Sequence, residues 1–93
     1  MAGRRHLVVH HDKLLPLELV QPGEWADVEE VTGTPVWVTR MAELGVRSGS
    51  RLRVLRQGSP CLLQVGGARL SVRGEAAAQI LVRPVRPAVA LVH

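Results

Sequence analysis

Apolar and polar residues alternate with a period of two along several short stretches of the chain. Within residues 25–31, Ala26 and Val28 fall on one side of the pattern and acidic residues fall on the other. Within residues 51–56, leucine and valine alternate with three arginines. Such alternation is typical of strands with one buried face. The pattern predicts short strands at residues 25–31, 51–56, 61–65, 68–73 and 80–82.

One segment departs from this alternation and predicts a helix. Val36, Met41 and Leu44 recur at roughly helical spacing. Gly45 follows them, at the position where a left-handed C-terminal cap favours glycine. We therefore expect one short α-helix over residues 36–44, between the first two predicted strands.

Glycine-containing turns separate the predicted strands. Residues 21–24 have Pro22 in second position and Gly23 in third, which is the type II arrangement. The pair Gly66-Gly67 is a two-residue connection of the kind that β-hairpins use. About five short strands joined by such turns predict a mainly β fold closed as a small barrel, since closure removes exposed edges.

The two ends of the chain do not follow the pattern. Residues 1–13 contain three of the four histidines and predict a flexible lead-in. Pro84 and Pro87 lack a backbone N–H, so we expect regular pairing to stop there and a tail to occupy residues 84–93. The domain itself is expected at residues 14–83, beginning with an apolar, extended or single-turn segment.

Composition narrows the class of protein. The chain has 93 residues, enough for one domain, and its core must be aliphatic because Trp25 and Trp37 are its only aromatic residues. So few aromatics disfavour a stacking platform for single-stranded nucleic acid. The net charge is +4, with arginines scattered among acids, which favours a mildly basic surface over a nucleic-acid or acidic-lipid footprint. No apolar run is long enough to span a membrane, so we expect a cytoplasmic protein.

The sequence lacks the combinations of residues that catalytic sites need. No histidine lies between His11 and His93 to activate the single cysteine, Cys61. Glu29 and Glu30 are neighbours on a predicted strand and so face opposite sides. The Gly66-Gly67 pair precedes a strand rather than a helix, unlike a phosphate-binding loop. We predict no enzymatic activity and no cofactor.

A transition-metal site has only weak candidates. His6, His10, His11 and Cys61 carry the ligand types that such metals take. No Cys-x-x-Cys or His-x-x-x-His pair meets a second ligand cluster. Solvated histidines on a loose terminus and a packed, inert cysteine are therefore the favoured interpretation, with metal binding left open.

An ordered series of motifs runs along most of the chain. The series consists of Leu17-x-Leu19, Pro22-Gly23-Glu24, Thr39-Arg40-Met41-Ala42-Glu43-Leu44-Gly45, Arg47-x-Gly49-x-x-Leu52-x-Val54-Leu55, Gly58-x-Pro60-Cys61-Leu62-Leu63-x-Val65-Gly66-Gly67 and Leu70-x-Val72-Arg73-x-Glu75-Ala76-Ala77-x-x-Ile80-x-Val82. This series resembles the FeoA-type domain of the ferrous iron transport protein A family. The match covers roughly residues 14–83, and its order and spacing are more specific than any single piece.

The resemblance implies an SH3-like barrel of about five strands with no enzymatic chemistry of its own. It also implies a role in iron homeostasis, through action on the FeoB transporter, a membrane protein with a cytoplasmic GTPase domain. The domain type is similar to the C-terminal module of iron-dependent repressors, although no helix-turn-helix pattern precedes it here. An SH3-like nucleic-acid-binding module and a metal-sensing module are the alternatives.

Candidate partner contacts lie on the predicted helix and on one strand. We expect Trp37 to be the exposed anchor, with Arg40 pairing either with a partner carboxylate or with Glu43. Met41 and Leu44 are expected to pack inward. Arg51 and Arg53 share a strand face that is either a solvated edge or a surface for an acidic partner, and self-association stays open. These further candidates are therefore Met41, Leu44, Arg51 and Arg53.

Overall fold

The computed structural model describes residues 8–10 and 14–87, with side chains described from 14 to 85. Short strands dominate these residues, and two α-helices and one 3-10 turn connect them. The elements are β1 (Val8–His10), β2 (Leu15–Pro16), the 3-10 turn (Leu17–Leu19), β3 (Trp25–Val31), α1 (Pro35–Glu43), β4 (Arg51–Arg56), β5 (Cys61–Val65), β6 (Ala68–Val72), α2 (Gly74–Ala77) and β7 (Ile80–Pro87).

All seven strands belong to one antiparallel sheet with the order β1-β7-β3-β4-β5-β6, and β2 also pairs with β7. The mainly β prediction is confirmed, and the five predicted strands are all present with α1 between the first two of them. Two further strands, β1 and β2, were not predicted. Within the described residues the sheet is not closed, because β6 pairs with β5 alone.

The expected break at the prolines was wrong, since β7 continues to Pro87. Pro84 is buried opposite Ala26 of β3. It lies between the part of β7 that pairs with β2 and the part that pairs with β1. A proline is tolerated there because its missing N–H can face the gap between those two partners. Most of the predicted lead-in and tail, at residues 1–7, 11–13 and 88–93, lies outside the described residues.

Helix α1 begins one residue earlier than predicted because of a capping pair. Thr34 is the N-cap, and its Oγ1 accepts a hydrogen bond of 3.2 Å from the backbone N–H of Trp37. Pro35 occupies the first helical position, where its fixed φ suits a helix and its missing N–H costs nothing. The cap and the proline together fix where the helix begins.

The end of α1 is a complete Schellman motif. The N–H of Gly45 donates to the carbonyl of Ala42 at 3.0 Å, and the N–H of Val46 donates to that of Met41 at 2.8 Å. Gly45 has a φ of +97°, which residues with a side chain rarely adopt. The predicted glycine cap is confirmed, and it directs Val46 back into the core.

Side chains of β3–β7, both helices and the 3-10 turn fill the core. As the composition predicts, nearly all are aliphatic. The buried cluster comprises Leu17, Val20, Ala26, Val28, Met41, Val46, Leu52, Val54, Cys61, Leu63, Val72, Ala77, Ile80 and Val82. Met41 is the one fully buried contribution of α1 among them, so most of that helix lies at the surface.

Candidate functional site

Helix α1 has one face against the sheet and one face open to solvent. Met41 is buried and Trp37 is half-buried against the core, whereas Val36 is 76% exposed and Leu44 is 46% exposed. Positions four apart lie on one side of a helix. Val36, Arg40 and Leu44 therefore form a continuous line on the solvent side, which we call the outer stripe.

The expectation that Trp37 is the exposed anchor was wrong. Its indole packs so closely that a Cβ built on Gly33 would lie 2.7 Å from its Cδ1 atom. Its Nε1 atom is buried and has no hydrogen-bond partner among the described residues. Met41 faces inward as expected, but Leu44 does not. The sequence signal for this face was the four-residue spacing of Trp37 and Met41, which places both on one side of the helix.

Arg40 lies at the middle of the outer stripe and is exposed. In the described part of the chain its guanidinium has no ion-pair or hydrogen-bond partner, so the alternative pairing with Glu43 is not formed. A shallow groove of about 450 Å³ runs beside it, lined by Pro35, Val36, Thr39, Arg40 and Glu43. An unpaired guanidinium between two exposed apolar side chains is the mix that anchors protein interfaces.

The strand arginines are engaged within the chain. Arg51 lies directly opposite Asp27 in the β3–β4 register, and its Nε and Nη2 atoms donate to the two carboxylate oxygens at 2.7 and 3.2 Å. The hydrogen bond and the negative charge of Asp27 raise the pKa of Arg51. Two parallel bonds fix the guanidinium in the plane of the carboxylate, so Arg51 is held by its own sheet.

Arg53 is also held, on the same face of β4. Its guanidinium lies over the ring of Trp25, 5.5 Å from the centroid, and its Nε donates to the carbonyl of Gly23 at 3.1 Å. Trp25 is 39% exposed and lies opposite Arg53 in the register. Cation–π contact of this kind stabilises the pair at the surface. The larger of the exposed aromatic surfaces thus belongs to the sheet and not to α1.

The metal candidates fall mostly outside the described residues. His6 and His11 lie there, and His10 is described only by its backbone in β1. Cys61 is buried in the core, and desolvation by burial raises the pKa of its thiol. Among the side chains of residues 14–85, no three His, Cys, Asp or Glu groups lie close enough to hold a metal ion.

The expectation that Glu29 and Glu30 face opposite sides of β3 was wrong, because both line one crevice of about 240 Å³ beside α1. A β-bulge between Val28 and Glu30 shifts the β3–β7 register. Glu29 accepts a hydrogen bond of 3.0 Å from Nε of Arg83, while Glu30 is exposed. Both carboxylates therefore border the same crevice, where Glu29 is engaged by Arg83.

Membrane insertion through a helix has no support in the part of the chain that the structure describes. No helix there is long and apolar enough to cross a membrane.

A small antiparallel sheet with one helix that has an open outer face defines a β-rich, SH3-like domain. The FeoA domain model matches residues 15–84, so the chain belongs to the FeoA domain family. No curated protein matches the chain.

Three solved structures are similar to this chain in fold. An iron uptake regulatory protein (FeoA) has a TM-score of 0.72 and 24% identity over 77% of this chain and 99% of its own, which bears on the fold alone. A FeoA protein from Chlorobium tepidum has a TM-score of 0.69 and 31% identity, over 73% of this chain and 68% of that one. FeoA of Stenotrophomonas maltophilia has a TM-score of 0.63 and 29% identity, over 71% and 86%. That protein was solved with zinc and is described as a prokaryotic SH3 domain protein and a candidate ferrous iron transport activating factor.

Proposed function

We propose that this protein is a non-enzymatic accessory protein of ferrous iron uptake. It acts in the cytoplasm by binding the cytoplasmic part of a FeoB-type transporter that contains a GTPase domain. Family membership supports the link to ferrous iron transport, as does the description of the Stenotrophomonas maltophilia relative as a candidate activating factor.

The observation that carries the proposal is the outer stripe of α1. Val36 and Leu44 leave apolar surface in water that a partner would bury. Arg40 between them offers a guanidinium that would pair with a partner carboxylate. Because α1 is capped at both ends, the stripe is rigid, and little conformational entropy is lost when it docks.

The chemistry of the described side chains also favours binding over catalysis. A cysteine nucleophile needs an exposed, electropositive setting, and Cys61 is buried with a raised pKa. Glu29 and Glu30 line the same crevice, but Glu29 is engaged in an ion pair with Arg83. Arg51 and Arg53 are engaged within the sheet, so their strand face adds no support to the nucleic-acid alternative, which rests on the net charge of +4.

The test is the affinity of the full chain for the transporter's cytoplasmic domain. We expect Arg40→Ala and Val36→Ala each to weaken binding by about tenfold, the effect of truncating an interface anchor. Arg47 is another exposed arginine, beyond the end of α1. Arg47→Ala is therefore the matched control and should bind like the wild type. Unchanged affinity in both stripe variants, with unchanged thermal stability, would reject the stripe. A wild-type protein that does not bind at all would reject the partner.

A further inference from the structure

Charge is strongly segregated along this chain. Residues 44–74 contain six arginines and no aspartate or glutamate, and all eight acidic residues lie outside that range. The same range forms β4, β5 and β6, so one three-stranded part of the sheet contributes cations only. Segregation of this kind produces a local positive potential although the net charge is small.

Two of these arginines lie at β6, the strand at one edge of the sheet. Arg69 lies in β6 and Arg73 directly follows it, and both are exposed. Unlike Arg51 and Arg53, neither has a side-chain partner among the described residues. Four residues of extended chain separate them by about 13 Å. They are available to an anionic partner lying along the strand.

The main chain of β6 also has an open side. Val65 and Ala68 flank a two-residue turn, so they exchange both hydrogen bonds, and bonded and non-bonded pairs alternate from there. Leu70 therefore bonds to β5, whereas the N–H and C=O groups of Arg69 and Ser71 point away from β5. In the described sheet no strand pairs with that side.

A crevice of about 240 Å³ lies between the end of β6 and the two helices. It is lined by Trp37, Met41, Ser71, Val72, Arg73 and Ala76. The lining is apolar on the α1 side, where Trp37 and Met41 contribute. A side chain that projects from a strand added to β6 would enter it, as side-chain pockets do in other strand-addition complexes.

We propose that the open edge of β6 binds an extended acidic segment of a partner protein as an added strand. The outward groups of Arg69 and Ser71 bond to the backbone of that segment. Arg69 and Arg73 pair with its carboxylates, and an apolar side chain of the segment fills the crevice. A second copy of this chain is a poorer occupant, because it would bring two cation-only surfaces together. Lipid headgroups would supply charge but not a matching row of backbone donors and acceptors.

This docking edge is separate from the outer stripe of α1, so the inference goes beyond the proposed function. The probe is a fluorescent peptide that alternates glutamate with valine, titrated into the full chain. A peptide alternating lysine with valine is the control and should not bind. We expect binding of the acidic peptide to weaken as salt rises, because the contacts are charged.

Ser71→Pro is the discriminating variant. It removes an outward N–H without touching a bond to β5, and proline is tolerated on an edge strand. We expect about tenfold weaker peptide binding, whereas Ser71→Ala keeps the N–H and should bind normally. Arg69→Glu combined with Arg73→Glu should abolish binding, and Arg40→Glu on α1 should leave it unchanged.

Hydrogen exchange gives a readout that does not depend on any variant. Peptide binding should slow exchange of the Arg69 and Ser71 amides and should leave that of Leu70, already bonded to β5, nearly unchanged. Protection confined to other strands would overturn the proposal. So would a dimer that Ser71→Pro dissociates, or binding to phosphatidylglycerol vesicles without binding to the peptide. None of these results would bear on whether the outer stripe binds the transporter.

Discussion

Gly33 lies where three elements meet, and its lack of a side chain lets them pack closely. Gly33 has a φ of +125°, and its open face is occupied by Trp37 and by the side chain of Gln79, whose Oε1 atom lies 3.0 Å from the position of a Cβ. The backbone carbonyl of Gln79 in turn accepts hydrogen bonds from the N–H and Oγ1 of Thr32, at 2.8 and 3.0 Å. The end of β3, the start of α1 and the residues after α2 therefore meet where glycine leaves space.

Replacing Gly33 by alanine should destabilise the protein more than replacing another glycine of positive φ that has free space around it. Gly33→Ala combines left-handed strain with a collision against an indole ring, and we expect a loss of about 2–4 kcal/mol in the free energy of unfolding. Gly23→Ala is the matched control, because Gly23 has a φ of +90° with nothing within 4 Å of a Cβ. It should lose only about 1 kcal/mol. Urea unfolding measures both, and equal losses would contradict the collision.

The buried Nε1 atom of Trp37 leads to a second prediction at the residue scale. An unpartnered buried donor costs about 1–3 kcal/mol, so Trp37→Phe gains from removing it and loses part of the ring's packing. We expect a change within about 1 kcal/mol, whereas Trp37→Ala should cost about 3 kcal/mol. Thermal or urea unfolding distinguishes the two variants. A phenylalanine variant as unstable as the alanine variant would mean that the N–H is bonded in solution.

At the scale of elements, local signals predicted the strands well and the helix face badly. Alternation and glycine turns are local, and the bounds 25–31, 51–56 and 61–65 agree with β3, β4 and β5. The inward face of α1 depends on how the helix axis lies over the sheet. Helical spacing alone allowed either Met41 or Leu44 to be buried, and the packing of the helix on the sheet buries Met41.

The long-range pairings could not be predicted from local pattern at all. β1 pairs with the end of β7, at the far end of the sequence, and neither segment alternates clearly. Two prolines argued against a strand there, although a proline is harmless where one side of the strand lacks a partner. The candidate site was likewise predicted only where it depends on local sequence. The helix and Arg40 were predicted, but the inward side of Trp37 and the open edge of β6 depend on tertiary contacts.

The N-cap of α1 is testable by itself. Thr34→Ala removes the acceptor for the N–H of Trp37, and we expect a loss of about 1 kcal/mol in the free energy of unfolding. Thr39→Ala removes the same atoms from an exposed position inside the same helix, where alanine is the better helix former. That control should be neutral or slightly stabilising. A cap variant no less stable than this control would show that Pro35 alone fixes the start.

At the scale of the whole molecule, one thiol reports on the opening of the core. Cys61 is the single cysteine, it is 1% exposed, and it lies among the buried residues of β5. A thiol reagent reaches such a group only when the core opens. The labelling rate in native buffer should therefore follow the small population of open molecules, and destabilising variants such as Gly33→Ala should raise it about tenfold for each 1.4 kcal/mol lost.

The same thiol should make the protein less stable in alkaline solution. Burial raises the pKa of Cys61, so the folded chain keeps the thiol neutral at a pH where the unfolded chain ionises it at about 8.5. The contribution of the neutral, buried thiol to the free energy of unfolding is complete below that pH. It falls as the pH rises above it, by up to about 1.4 kcal/mol per pH unit, until the folded thiol also ionises. The chain has no tyrosine and only one lysine, Lys13, so few other groups titrate in this range. We expect urea unfolding between pH 7 and about 10 to show this fall in the wild type. A Cys61→Ala variant, less stable at every pH, should show a flat profile, and parallel profiles in the two proteins would contradict the raised pKa.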